Sequence, residues 1–475
     1  MFGADQPNLT EGALARPFLR LAGPLVLTQF LEVAVSTTDL LVLGAFSAHA
    51  VAALGVALPA AFLLIAVGVG FATGGSILVA QYTGSEGEQA ATTVAGQTLW
   101  LVVAVGVVVG AVGILGTRPL LSVMPAESET ATQVLPLAAE YLHVLFAGTP
   151  VVFGFIALGA LFRGAGDSRT PMLLTALVVA VNVALDPLLV FGLGPVPQLG
   201  VEGAAIANVA ARVIGLVAGA LVLARVDVFD VSLADFRPDV GVVGDITRLA
   251  IPSALEESAS ALALVALAGV VVTFEPSVVA AYGVGDRVVS LVFLPMIGVS
   301  QATNTVVGQN LGAERPARAR RGVLLAIAAV AVPVLPLAVL TGAFPEAVAG
   351  LVLSSAAEAE TVRFAGEFLR IAAVDFVFMG TLHVVLGGLR GAGNTRTALW
   401  ISLATLWGLR LPLTLSLVFV VDWGPMGVWL GYAAGDVAGA VVAVAWFFAT
   451  DSWTEAVVDT EGPPDDPAEE PAPED

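Results

Sequence analysis

The chain contains no cysteine and no lysine, and little charge of any kind: 12% of its 475 residues are charged, and all 19 basic ones are arginine. Without cysteine there is neither a disulfide framework nor a thiolate metal site. Only three histidines occur (His49, His143 and His383), scattered without metal-ligand spacing, so each reads as a packing or interface residue. Nothing has the spacing of a nucleophilic triad, and the lack of a nucleotide-binding domain argues against ATP-driven pumping. Gly68, Gly70, Gly74 and Gly75 sit inside an apolar run, where small residues serve close helix approach rather than a phosphate loop. The polar stretch Met1 to Glu11 carries no basic residue before the first apolar run, so no cleavable signal is expected. Segments of about 10 residues alternating apolar and polar, the signature of an outer-membrane barrel, are missing as well.

What is present is hydrophobic sequence, 57% of the chain, with a mean hydropathy of +0.93, far above that of a soluble domain. Apolar runs of about 20 residues or more are each long enough, at about 1.5 Å per residue, to cross a hydrocarbon core of about 30 Å. Water cannot satisfy backbone groups there, so the spans are expected to be helices. Apolar runs read against turn signals predict twelve of them, near 17–46, 51–82, 93–116, 136–162, 170–192, 200–224, 246–274, 278–311, 322–343, 361–389, 397–421 and 426–450. With the N-terminus inside, 13 of the 19 arginines fall in or beside the loops on the cytoplasmic face, which places both termini there. The net charge is −20, and ten carboxylates crowd into Asp451 to Asp475, a Pro-, Asp- and Glu-rich stretch that reads as a disordered cytoplasmic tail over 451–475.

The chain repeats itself. Leu21-Ala22-Gly23-Pro24 matches Leu249-Ala250-Ile251-Pro252, and Gln81 with Gly84 matches Gln309 with Gly312, both at a shift of 228. Arg163-Gly164-Ala165-Gly166-Asp167-Ser168-Arg169-Thr170 matches Arg390-Gly391-Ala392-Gly393-Asn394-Thr395-Arg396-Thr397 at 227, with six identities in eight positions. Six spans per repeat is an even number, so the halves keep one orientation and relate by an axis along the membrane normal. The expected organisation is an all-α integral membrane protein with a six-helix lobe over 1–225, a cytoplasmic linker over 226–245 carrying Asp227, Asp230, Asp235, Arg237 and Asp239, and a second six-helix lobe over 246–450.

A carboxylate at helix mid-depth costs about 2.5–3.5 kcal/mol on insertion scales, so it should face a cavity or a partner. Thr28, Glu32, Ser36 and Asp39 recur at spacings of four, four and three, on one face of the first span. Asn182 and Asp186 share a face of the fifth. The plain alternatives are a capping role for the Asp186-Pro187 pair and a hydrated position at the extracellular mouth for Asp39. Carried across the repeat, Asp39 falls on Leu267, Asn182 on Trp407 and Asp186 on Leu411, so these polar groups read as an addition to the scaffold confined to the first lobe. Two acids with amide and hydroxyl oxygens suit a hard cation such as Na⁺, or a proton shared by a carboxylate pair. Glu256 and Glu257 in the seventh span are candidates to line a central cleft, with a structural role as the alternative.

Over about residues 15–450 the sequence resembles the multidrug and toxic compound extrusion (MATE) family, and within it the DinF-like branch. The carriers are Gly23-Pro24, Asp39, the loop at 163–167, Asn182-Val183-Ala184-Leu185-Asp186-Pro187, and Gly203-Ala204-Ala205-Ile206-Ala207-Asn208. The resemblance implies a MATE/MOP-type fold and an antiporter that exports amphipathic or cationic organic compounds in exchange for Na⁺ or H⁺ by alternating access. It implies a cation site at Asp39, Asn182, Asp186 and Asn208, with Asn208 standing where family members often have Thr. The carboxylate pair that another branch carries in its second lobe is not matched, since Glu256 and Glu257 come too early after Pro252 and Asp375 too far before Arg390. No cofactor is expected beyond the coupling ion; the expected partners are lipid and small organic substrates, with no nucleic acid, for a monomer in the plasma membrane. Rival readings are a lipid-linked oligosaccharide flippase of the same superfamily, an intramembrane enzyme and a channel.

Overall fold

A computed structural model describes residues 7–122, 129–225, 235–353 and 358–458. Among these, helix follows helix: α1 (Ala15–Phe46), α2 (Ala48–Gly84), α3 (Glu88–Ser122), α4 (Glu129–Ala147), α5 (Thr149–Gly164), α6 (Arg169–Phe191) and α7 (Gly200–Leu223) build the first lobe. The second comprises α8 (Val240–Val271), α9 (Pro276–Gly312), α10 (Pro316–Ala343), α11 (Pro345–Val352), α12 (Ala359–Gly391), α13 (Thr395–Leu403), a π-helical turn (Ala404–Arg410), α14 (Leu411–Phe419) and α15 (Pro425–Ala449). Eleven helical stretches are long and apolar enough to cross a membrane, and α4 with α5, bent by 55°, makes a twelfth.

The departures from expectation have local causes. The fourth span is broken where Gly148 precedes Pro150 in the first turn of α5, since proline starts a helix readily but cannot continue one. The eleventh is continuous but widened and locally underwound by the π turn. The linker is shorter than expected, because Asp239 caps α8 by accepting from the amides of Gly241 (2.8 Å) and Val242 (3.2 Å), so that helix already runs at 240. The preceding residues are pinned to α3, where the Gln97 side chain donates to the carbonyls of Asp235 and Arg237, each at 2.6 Å. Asp227, Asp230 and the tail from 459 onward lie outside the described residues.

In lipid, helices are held together by close packing rather than by water exclusion, and glycine permits it. A methyl group at Gly70 of α2 would collide with the backbone of Ala254 in α8. Buried apolar residues at the start of α1 (Phe18, Leu21, Leu25) join the core of the second lobe, so the first helix bridges the two halves.

At the end of the molecule that carries both termini, the repeat becomes a reciprocal clasp. Gln81 Nε2 of α2 donates to the Gly391 carbonyl (3.1 Å) in the second lobe, and Gln309 Nε2 of α9 donates to the Gly164 carbonyl (3.0 Å) in the first. The backbones of Gly84 and Gly312 each lie against the opposite glutamine, leaving no space for a side chain at either position. The residues expected to open a disordered tail are instead packed as far as Val458: Trp453 is buried, stacks on Phe447 at 4.1 Å and donates from Nε1 to the Phe447 carbonyl. The amides of Val457 and Val458 then donate to Gln81 Oε1 at 2.7 and 3.3 Å.

Candidate functional site

Three helices of the first lobe deliver the site. Asp39 comes from α1, Asn182 and Asp186 from α6, and Asn208 from α7; all four are buried, Asn182 and Asp186 completely. Asn208 Nδ2 donates to Asp39 Oδ2 at 3.4 Å, and Asp39 lies close enough to Asn182 and Asp186 for their polar groups to act on one another. The side chains expected to meet are therefore brought together. Asp39 Oδ1, both carboxylate oxygens of Asp186 and both polar atoms of Asn182 are enclosed with no hydrogen-bond partner. Such orphaned atoms are costly in a protein interior and mark a place where a ligand belongs. The capping role for Asp186 does not hold, since its oxygens accept from no amide. The site for Asp39 is likewise an enclosed one and not a hydrated mouth.

The polar stripe on α1 divides. Thr28 and Ser36 satisfy themselves on backbone carbonyls of their own helix (Pro24 at 2.9 Å and Val33 at 3.0 Å). Glu32 is exposed at mid-span, yet it has Arg163 and Arg212 as electrostatic neighbours, which fits the rim of a polar cleft. Arg212, on α7, went unrecognised in the sequence. Its guanidinium donates to the Asn208 side-chain oxygen and, at 3.3 Å, to the Asn208 carbonyl, and it acts electrostatically on Asp39, Glu32 and Tyr141. The available signal was its position four residues after Asn208, on the same helix face. Glu32 thus has both guanidiniums (Arg163, Arg212) as neighbours, Asp39 has Arg212 and Asp186, and Asp186 has Asp39.

Glu256 does not line a cleft. It is buried at 1% exposure and clamped by Arg390, which donates from Nε at 3.0 Å and from Nη2 at 2.7 Å, with Ser402 Oγ adding a third donor at 2.8 Å. Glu257 sits half-buried beside the same arginine, 3.3 Å away. The second lobe also holds buried charge of its own, at positions other than the twins of the first-lobe site. Asp375 on α12 is fully buried with both oxygens unpartnered, near Asp436 of α15, while Arg410 at the end of the π turn approaches Asp436 at 3.8 Å and lies 3.7 Å over the Tyr432 ring. The positions equivalent to the first-lobe site are apolar or engaged elsewhere: Leu267 is buried, and Trp407 Nε1 donates to the Ala259 carbonyl. Among the described residues no three His, Cys, Asp or Glu side chains cluster as a metal site.

Comparison with known proteins bears on what such a site serves. The MatE family model matches residues 24–188 and 252–415, once in each half of the repeat. The chain belongs to the MatE family. The relationship extends over nearly the whole of its relatives: the probable multidrug resistance protein NorM of Deinococcus radiodurans is 32% identical, covering 93% of this chain and 96% of the relative. The corresponding protein of Pseudomonas aeruginosa is also 32% identical, over 92% and 89%. A solved structure described as the outward-facing conformation of a multidrug resistance MATE family transporter of the MOP superfamily superposes with a TM-score of 0.85 at 25% identity, covering 94% of this chain and 98% of that one. This MatE protein is accordingly a multi-pass membrane transporter and not an enzyme.

Proposed function

We propose that this MatE protein is a secondary antiporter of the plasma membrane, exporting amphipathic or cationic organic compounds in exchange for Na⁺ or H⁺. The reading rests on one observation: the first lobe encloses carboxylate and amide atoms that have no partner in the protein, drawn from two helices and suited to a small cation or a proton. A coupling ion shifts a transporter only by binding its two states unequally, and a site whose members come from three separate helices changes whenever those helices move. Both termini then lie in the cytoplasm, where the clasp of Gln81 and Gln309 closes the inner side of an alternating-access cycle. The protein acts as a monomer in this scheme, with lipid and the exported compound as its partners. A flippase for a pyrophosphate-linked lipid would need free positive charge in the cleft, whereas Arg163 and Arg212 already face Glu32 and Asp39. The test is efflux of a cationic dye from proteoliposomes with the pH and Na⁺ gradients imposed separately. Saturable efflux driven by either gradient supports antiport; efflux indifferent to both rejects it.

A further inference from the structure

We propose that Arg212 sets the ion selectivity of the first-lobe site, by locking Asn208 in the orientation that excludes Na⁺ and leaves a proton as the coupling ion. The inference rests on the antiport reading and goes on to name its ion.

An asparagine side chain has one acceptor oxygen and one donor nitrogen, and which of them faces a neighbour is ordinarily ambiguous. Here it is not. Arginine has only donors, so the end of Asn208 that meets the Arg212 guanidinium must be the oxygen. The amide nitrogen is then turned toward Asp39, as the 3.4 Å contact from Nδ2 to Oδ2 shows. A hard cation is held by oxygens, and an N–H aimed into the site takes a ligand position while repelling the ion. Asn208 would supply an oxygen only if it were released from Arg212.

Charge points the same way. The titratable groups that face Asp39 are Tyr141 of α4, Asp186 of α6 and Arg212 of α7, while Glu32 on its own helix faces Arg212 and Arg163 instead. Arg212 is a tethered cation within this set, and a free Na⁺ entering beside it meets repulsion across a poorly screened gap. A proton is different, because it binds to a carboxylate oxygen and then donates a hydrogen bond, requiring no further ligands. The open acceptors on Asp39 Oδ1, Asp186 and Asn182 Oδ1 provide both the place for it and its bonding partner.

The experiment measures ²²Na⁺ binding to purified protein, alongside dye efflux under separate gradients, for the wild type, Arg212→Met with Asn208→Thr, Arg212→Lys and Asp39→Asn, each checked for monodispersity. The wild type is expected to bind no Na⁺ at millimolar concentration and to export dye on a pH gradient without Na⁺. The double variant is expected to gain Na⁺ affinity by on the order of tenfold or more, the effect of removing one charge near contact distance. Its Na⁺ binding should vanish when Asp39→Asn is added. Arg212→Lys, which keeps a donor-only cation in place, should still exclude Na⁺, an outcome that a merely structural role would not produce. Na⁺ binding by the wild type, or no gain in the monodisperse double variant, overturns the proposal. Absence of dye efflux under any gradient would instead count against antiport, leaving the binding measurement to decide selectivity.

Discussion

In the core of a helical lobe, one oxygen of Asp39 and both of Asp186 have no partner in the protein, a burial that costs the fold free energy. Replacement by asparagine removes charge while keeping shape, so Asp39→Asn and Asp186→Asn are expected to insert and purify normally yet abolish coupled efflux. Exchange of Leu267 or Leu411 for another apolar residue should leave efflux close to wild type. Normal transport by both Asp variants would eliminate the site. The Glu256–Arg390 pair is the opposite case, fully bonded and unrelated to the ion site. Arg390→Ala strands a buried carboxylate and is expected to cost about 3–5 kcal/mol, seen as a lower thermal transition of the detergent-solubilised protein. Helical spacing was enough to bring out Asp39, Asn182 and Asp186, because a polar stripe in an apolar span stands out against its background. Arg212 was masked by the positive-inside count, in which it was merely an arginine within a span. Asp375, Arg410 and Asp436 come together only through contacts among three helices, which no periodicity records.

Among the elements, α6 has the most to say about motion. Pro187 lacks the amide that would bond back to Val183, directly beside Asp186, so the helix is weakest next to the carboxylate proposed to bind the ion. If the bend there carries the coupling, Pro187→Ala should leave dye binding intact and slow efflux on the order of tenfold, the rate equivalent of about 1.4 kcal/mol. Unchanged turnover would place the moving part elsewhere. Span limits were readable because hydropathy and proline or glycine punctuation act locally: α9 was expected at 278–311 and runs from Pro276 to Gly312. The break between α4 and α5 was passed over although Gly148 and Pro150 mark it, and the π turn before Arg410 was not readable, since it is decided by what packs around it. Gly435 of α15, for instance, lies directly against the Arg410 side chain and leaves no room there for a side chain of its own.

For the molecule as a whole, duplication explains the clasp: one glutamine and one glycine, repeated at 228, meet their own copies across the lobe interface. The identities that exposed the repeat are thus the residues where the halves touch, which is why the two-lobed plan was legible without any structure. Their side of the membrane can be checked directly, since the chain has no cysteine to interfere. A cysteine introduced at Ser232, in the connection between the lobes, is expected to react with an impermeant reagent only after the cells are permeabilised. Labelling in intact cells would invert the topology.

The two halves are nevertheless unequal, because the 457–458 stretch binds the glutamine of only one of them among the described residues. Gln81 accepts from two backbone amides of the 457–458 stretch in addition to gripping Gly391, whereas among the described residues Gln309 accepts from no such pair. Two hydrogen bonds at about 1 kcal/mol each weigh the resting balance toward the clasped form by on the order of tenfold or more. Ending the chain after Thr450 should lift that weight. A cysteine at Thr305, buried where its hydroxyl donates to the Arg163 carbonyl (3.0 Å), would then be labelled faster from the terminal side. Residues 451–458 would in that case act as a latch spring, whose length and sequence tune how often an otherwise symmetric machine turns over.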